Sequence, residues 1–176
     1  GKDMPLSLKG HGGQPTTLVL ELTASQQTFH FTDVAELPVP SLLRNFSAPV
    51  VLEYDYSDAD LAFLMAHDSD AFNRWEAGQR LATRRLLALT EAAQKDGSAL
   101  SVDVALSDSL RASLNDLTLD PAFRDTVLTL PAETVIAEQM EVIDPQAIHT
   151  ARRFLRLSLA QDLRKDFSLV YAANQT

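Results

Sequence analysis

The sequence contains no cysteine, which excludes disulfides, thiolate metal ligands and a cysteine nucleophile. No apolar run approaches the roughly 20 residues needed to cross a bilayer. Gly1-Lys2-Asp3 is followed by no apolar core segment, so no signal peptide is expected at the start. Familiar chemical signatures are missing too: H-E-x-x-H, a Walker A loop, G-x-G-x-x-G and a G-x-S-x-G elbow. Positive charge is scarce. Fifteen Lys and Arg stand against 24 Asp and Glu, for a net charge of -9 and a pI near 4.8. So acidic a surface repels phosphate backbones and anionic lipid, and neither nucleic acid nor a membrane is an expected partner.

What is present is a globular composition, 45% hydrophobic and 22% charged over 176 residues. That is enough for one ordinary domain or two small ones. The start without Met carries the expectation that the chain is cut from something longer.

The hydrophobic period divides the chain. Up to residue 56 it is two. In "TTLVLELT" (16–23), Leu18, Leu20 and Leu22 share a face, and in "TFHFTDV" (28–34) Phe29 and Phe31 do. "VVLEYDY" (50–56) puts Leu52, Tyr54 and Tyr56 on one side, "MPLSL" (4–8) reads as a further short strand, and "KGHGGQP" (9–15) is a turn. From Ser57 the period is 3.6. Ser57 with Asp60 three residues on caps a helix with Leu61, Leu64 and Met65 as its stripe. Asp70 caps a helix of about 25 residues carrying Phe72, Trp75, Leu81 and Leu86 and stopping near Gly97. A helix over about 103–117 carries Leu106, Leu110, Leu114 and Leu117. Asp120-Pro121 and Asp144-Pro145 each set a capping acid before a first-turn proline. Pro131 opens a short helix with Thr129 as its cap. The last helix runs from about 145 to 172 with Ile148, Phe154, Leu155, Leu159 and Leu163. The fold class is therefore α+β: a partial antiparallel β-sandwich of three or four strands in 1–56, then an all-α array of about six helices in 57–176. A small sheet needs a partner layer, and none follows before Ser57, so the missing layer is expected upstream of Gly1.

Candidate chemistry is thin. His11-Gly12-Gly13 looks like an oxyanion-hole stretch but lacks the nucleophile elbow, so a turn explains it better. His67, Asp68 and Asp70 could form a metal or acid–base cluster. Helix ends explain them more simply, with His67 in a last turn, where positive charge suits the dipole, and Asp70 as a cap. His30 and His149 stand alone. Arg80, Arg84 and Arg85 cluster on one helix, and Arg152, Arg153, Arg156, Arg164 and Lys165 on the last. Such groups can clamp carboxylates, but a solvated face or salt bridges are the more ordinary reading. No catalytic, cofactor-binding or metal-binding residue is assigned.

The stretches "QTFHFTDV", "PVPSLLRNFSAPVVLEY", "SDADLAFLMAHDSDAFNRWEA" and "IDPQAI" together resemble the bacterial aminopeptidase N family of zinc exopeptidases. The pattern is strongest from Gln27 to Ala77, including Phe72, Arg74, Trp75 and Ala77, and persists in "LDPAF", "TLPAE" and "IDPQAIHTARRFL". The resemblance implies four domains, of which 1–56 would end the small β-sandwich and 57–176 begin the helical C-terminal domain. It implies that zinc, with its H-E-x-x-H ligands and glutamate base, belongs to a catalytic domain outside this sequence. The chain itself would be no enzyme and hold no cofactor. It would support the catalytic domain and help enclose the active-site chamber of a cytoplasmic enzyme that releases N-terminal residues from peptides. The expected partners are the missing catalytic and N-terminal domains and, through them, peptide substrates. Self-association through residues 1–56 is expected of the isolated chain. The alternative is a free-standing protein-interaction module with a helical-array surface. Within this frame Pro38–Asp58, with Pro38, Pro40 and Pro49 and the anchors Leu42, Leu43 and Phe46, reads as a rigid joint.

Overall fold

The computed structural model describes residues 3–95 and 100–175. Two compact units divide between Pro40 and Ser41.

In the first unit, β1 (Ser7–Leu8) pairs antiparallel with β2 (Phe31–Thr32), with Ser7 opposite Thr32 and Leu8 opposite Phe31. The Lys9 N–H extends the pairing to the His30 carbonyl at 3.0 Å, and Gly10 and Gly13, at φ 90° and 88°, turn the connector. The expected strand at 4–8 shrinks to β1 and that at 28–34 to β2. The segments 16–23 and 50–56 form no ladder. The reason for 16–23 is burial: alternation stabilises a strand only when one face is covered and each edge is paired. Here, on the apolar face, Leu22 remains 74% exposed and Leu18 and Leu20 are only half-buried.

The second unit is helical. Its elements are α1 (Asp58–His67), α2 (Ala71–Gln94), α3 (Val104–Asn115), α4 (Pro121–Leu128), α5 (Glu133–Ala137), α6 (Pro145–Asp162) and α7 (Arg164–Ala173). The capping acids act as their positions predict. Ser57 and Asp60 form a reciprocal capping box, and Asp70, Asp120 and Asp144 each accept from first-turn N–H groups; Asp103, not singled out in the sequence, caps α3 in the same way. α2 is the central helix and touches α1, α3, α4, α5 and α6. Leu61, Met65, Leu81, Leu86, Leu106, Leu114, Ile136, Ile148, Leu155 and Leu163 are fully buried and make one core.

Three local expectations change, and a fourth lies outside the described residues. Thr129 does not cap α5. It ends α4 and donates to the Asp125 carbonyl at 3.0 Å, while α5 starts from Ala132 without a side-chain cap. Leu117 is not on the α3 stripe, because α3 stops at Asn115 and Asp116 turns back to receive Thr118. The last helix is two helices, giving seven among the described residues. Leu163 leaves helical geometry at φ −92°, ψ 10°, with no proline or glycine to cause it. The bend is a packing decision. It buries Leu163 completely and lets Asp162 and Asp166, on either side, both reach Arg111 of α3. Gly97, the expected stop of α2, lies outside the described residues, and α2 ends at Gln94.

Candidate functional site

The segment 41–57 packs with the helices, and its backbone is unusual. Leu43, Asn45 and Phe46 have φ of 54°, 53° and 53°, in the left-handed region. Asparagine tolerates that region, but leucine and phenylalanine each pay on the order of 1–2 kcal/mol there. Tertiary bonds hold the turn against that strain. The Arg44 guanidinium donates to Ser41 Oγ at 3.1 Å, Asp68 Oδ1 at 3.0 Å and Ser69 Oγ at 2.7 Å. The Asn45 N–H donates to Asp70 Oδ2 at 3.0 Å. From α2, Asn73 Nδ2 donates to Ser41 Oγ at 2.9 Å and to the Leu42 carbonyl at 2.8 Å. Phe46 lies with its ring 4.2 Å from that of Phe72, which in turn is 5.6 Å from Trp75. The turn is thus held to the corner between α1 and α2.

This corner accounts for His67, Asp68 and Asp70. Asp68 ends α1 and receives Arg44 and the Asp70 N–H; its second oxygen, Oδ2, is buried with no partner among the described residues. Asp70 caps α2 through Oδ1, 2.9 Å from the Asn73 N–H. His67, an exposed residue in the last turn of α1, has its pKa lowered by partial desolvation and, after it, by the nearby Arg74 charge. Its contact is the Phe63 ring rather than a carboxylate. The positive charge expected to complement the helix dipole is therefore disfavoured.

The basic residues of α2 all find internal partners. Arg80 donates to the Tyr54 carbonyl at 2.8 Å and lies over the Tyr56 ring. Arg84 reaches the Tyr56 carbonyl and Asp58, and Arg85 bridges Asp58 and Asp103. These bonds hold the Tyr54 and Tyr56 carbonyls, at the end of the 50–56 segment, against α2. Tyr56 beneath them is buried, and burial first, then the neighbouring Tyr54, pushes its phenol up to about 12. Arg74, which the sequence shows only as part of a motif, is the most buried guanidinium of the helix. It donates to the Met65 and Ala66 carbonyls at the end of α1 and to Asp116 Oδ2, each at 3.1 Å.

The last cluster divides. His149, alone in the sequence, meets Glu133 Oε1 at 3.0 Å. Arg152 donates to the Pro131 carbonyl at 2.8 Å, and with Arg153 and Arg156 these side chains line a pocket of about 200 Å³. Arg164 and Lys165 sit apart on α7. His11 and His30 lie exposed in the first unit. Among the described residues no three His, Asp or Glu side chains gather as a metal ion requires, so the residues present do not fit a zinc site. Among the described residues no helix is long and apolar enough to cross a membrane.

The chain is similar to known proteins over most of its length. Residues 58–176 match the family model described as "Domain of unknown function (DUF3458_C) ARM repeats", and residues 3–55 match "Domain of unknown function (DUF3458) Ig-like fold". Aminopeptidase N of Escherichia coli (strain K12) is 42% identical over 99% of the chain, and this spans 20% of that relative. Aminopeptidase N of Caulobacter vibrioides is 42% identical over 90% of the chain and 18% of its own length, and that of Haemophilus influenzae 36% over 92% and 18%. Among solved structures, Legionella pneumophila aminopeptidase A in complex with aspartic acid superposes with a TM-score of 0.65 at 27% identity, over 81% of this chain and 17% of that one. The chain thus spans about a fifth of the relatives it matches. With residues 58–176 matched, the chain belongs to the family of the DUF3458_C ARM-repeat domain and, with it, to the aminopeptidase N family.

Proposed function

We propose that this chain is a non-catalytic part of a zinc-dependent aminopeptidase N, in which it supports the catalytic domain and helps enclose the active-site chamber. The observation that carries this is the coverage: nearly all of the chain aligns at 42% identity, yet with only a fifth of the relative. Residues 1–56 would complete an Ig-like β-sandwich with strands from elsewhere in the parent, and 57–176 would open its helical domain. The parent would release N-terminal residues from peptides in the cytoplasm, with its zinc on residues outside this chain. The chain's own contribution would be mechanical. The strained, hydrogen-bonded turn at 41–47 holds the chain entering α1 in one orientation, as a joint between domains must. The test is to incubate the chain with zinc and an aminoacyl chromogenic substrate and to measure bound metal. Neither turnover nor stoichiometric zinc is expected, and either would overturn the claim of inertness.

The same reading makes the isolated chain sticky. Val19, Leu22 and Leu37 are exposed in the first unit, the last at 98%, beside a two-stranded sheet with open edges. Self-association through 1–56 is expected, and a clean monomer by light scattering at high concentration would refute it.

A further inference from the structure

We propose that His149, Arg152, Arg153 and Arg156 on α6, with Glu133 at the start of α5, form a binding site for a small oxyanion of the carboxylate or phosphate class. This goes beyond the supporting role above and does not depend on it. The spacing of the four α6 residues puts them on one face of the helix, and all of them line the pocket beside Glu133. Its volume of about 200 Å³ admits an anion together with some of its water.

The contrast with the rest of the chain carries the argument. The arginines on α2, α3 and α4 each donate to a carboxylate or a carbonyl within the fold. Arg153 and Arg156 have no such partner among the described residues, although the chain is rich in carboxylates. The acid that is present, Glu133, is engaged by His149. Three guanidiniums against one carboxylate leave the pocket cationic on a chain of net charge -9.

Arg152 adds preorganisation. Its Nε donates to the Pro131 carbonyl at 2.8 Å and one terminal nitrogen approaches that of Leu130 at 3.5 Å. The planar fork is therefore oriented before a ligand arrives, and its remaining N–H groups are free to donate. Less side-chain entropy is lost on binding than for a free arginine. Charge-assisted bonds from two or three such forks are the usual way proteins hold carboxylate and phosphate. The chain's acidic residues elsewhere oppose this only weakly, because salt screens charges beyond about 8 Å at physiological ionic strength.

The test titrates the 176-residue chain with inorganic phosphate and, separately, with citrate. Amide shifts are followed by NMR against sodium chloride at equal ionic strength. Saturable shifts confined to the residues around 133 and 149–156 are expected, and the tighter anion names the class. The exposed double substitution R153Q/R156Q should weaken binding roughly tenfold or more, as the loss of charge-assisted bonds implies. R164Q, which removes an arginine outside the pocket, should leave binding unchanged. Shifts no larger than those in chloride, equal affinity in R153Q/R156Q, or equal weakening by R164Q would each overturn the site.

Discussion

Replacing Arg74 with methionine keeps the apolar stem and removes every donor of the guanidinium. Three acceptors then lose a partner. The Ala66 carbonyl, at the frayed end of α1, loses the side chain that satisfies it. The Met65 carbonyl keeps the Ser113 hydroxyl at 3.2 Å, so its loss is partial. Asp116 keeps two donors from Thr118 and is 27% exposed in its side chain, so water replaces much of what Arg74 supplied. One unsatisfied buried carbonyl costs about 1–3 kcal/mol, and a partly hydrated ion pair contributes about 1 kcal/mol or less. The sum for Arg74→Met is about 1–4 kcal/mol. For a chain of this length that is a fall of roughly 2–15 °C in Tm. Arg74→Lys restores the charge near Asp116 but not the fork that spans two carbonyls, so it should recover about half of the loss. Urea unfolding followed by circular dichroism at 222 nm reads the helical unit directly. A stability within about 0.5 kcal/mol of wild type for Arg74→Met, the usual range of a neutral surface change, would refute the view that Arg74 ties α1, α2 and α3 together.

The Thr118 bonds first, and Arg74 after them, hold the Asp116 carboxyl below the usual carboxylate range. Its stabilising effect is therefore full at neutral pH and lost as pH falls through that lowered value, so Asp116→Asn should flatten the acid limb of a stability–pH curve; an unchanged limb refutes it. Tyr56 carries the opposite sign. Its phenol stays protonated in the fold to about 12, so stability should fall as pH rises above 10, and absorbance at 295 nm should show one tyrosine titrating later than the others until the chain unfolds. Asn45 sits at φ 53°. Asn45→Gly should be near neutral in thermal unfolding, whereas Asn45→Val should cost about 1–2 kcal/mol; equal effects would show that the turn is not strained.

The helices were legible because their causes are local. Ser57, Asp70, Asp120 and Asp144 cap where they stand, since a side-chain oxygen needs only the next turn's N–H groups. The apolar stripes through Leu61, Leu81, Leu106 and Ile148 became the core for the same reason. The strands were legible only as a tendency, because a ladder needs a partner that no alternation pattern supplies. At the end of 50–56 the Tyr54 carbonyl is held by an arginine from a helix, 26 residues on.

The candidate site divides the same way. The stripe at 149, 152, 153 and 156 is visible as charge on one helix, but its pairing with Glu133, 16 residues away, is not. Nothing in the sequence says which arginines are satisfied: Arg80, Arg84 and Arg85 look like the α6 set and differ only in what lies opposite them. The clamp on Leu43, Asn45 and Phe46 was also invisible, since no local rule puts a leucine and a phenylalanine at positive φ. By itself, then, the sequence determined most of the helical architecture, the caps at Ser57, Asp70, Asp120 and Asp144, and the family, all of which rest on neighbours within a turn or on a pattern of residue types. Tertiary structure alone decided the bend at Leu163, the strained turn at 41–47 and which charges remain unpaired. Each of those is a competition between distant groups for the same donor, acceptor or space.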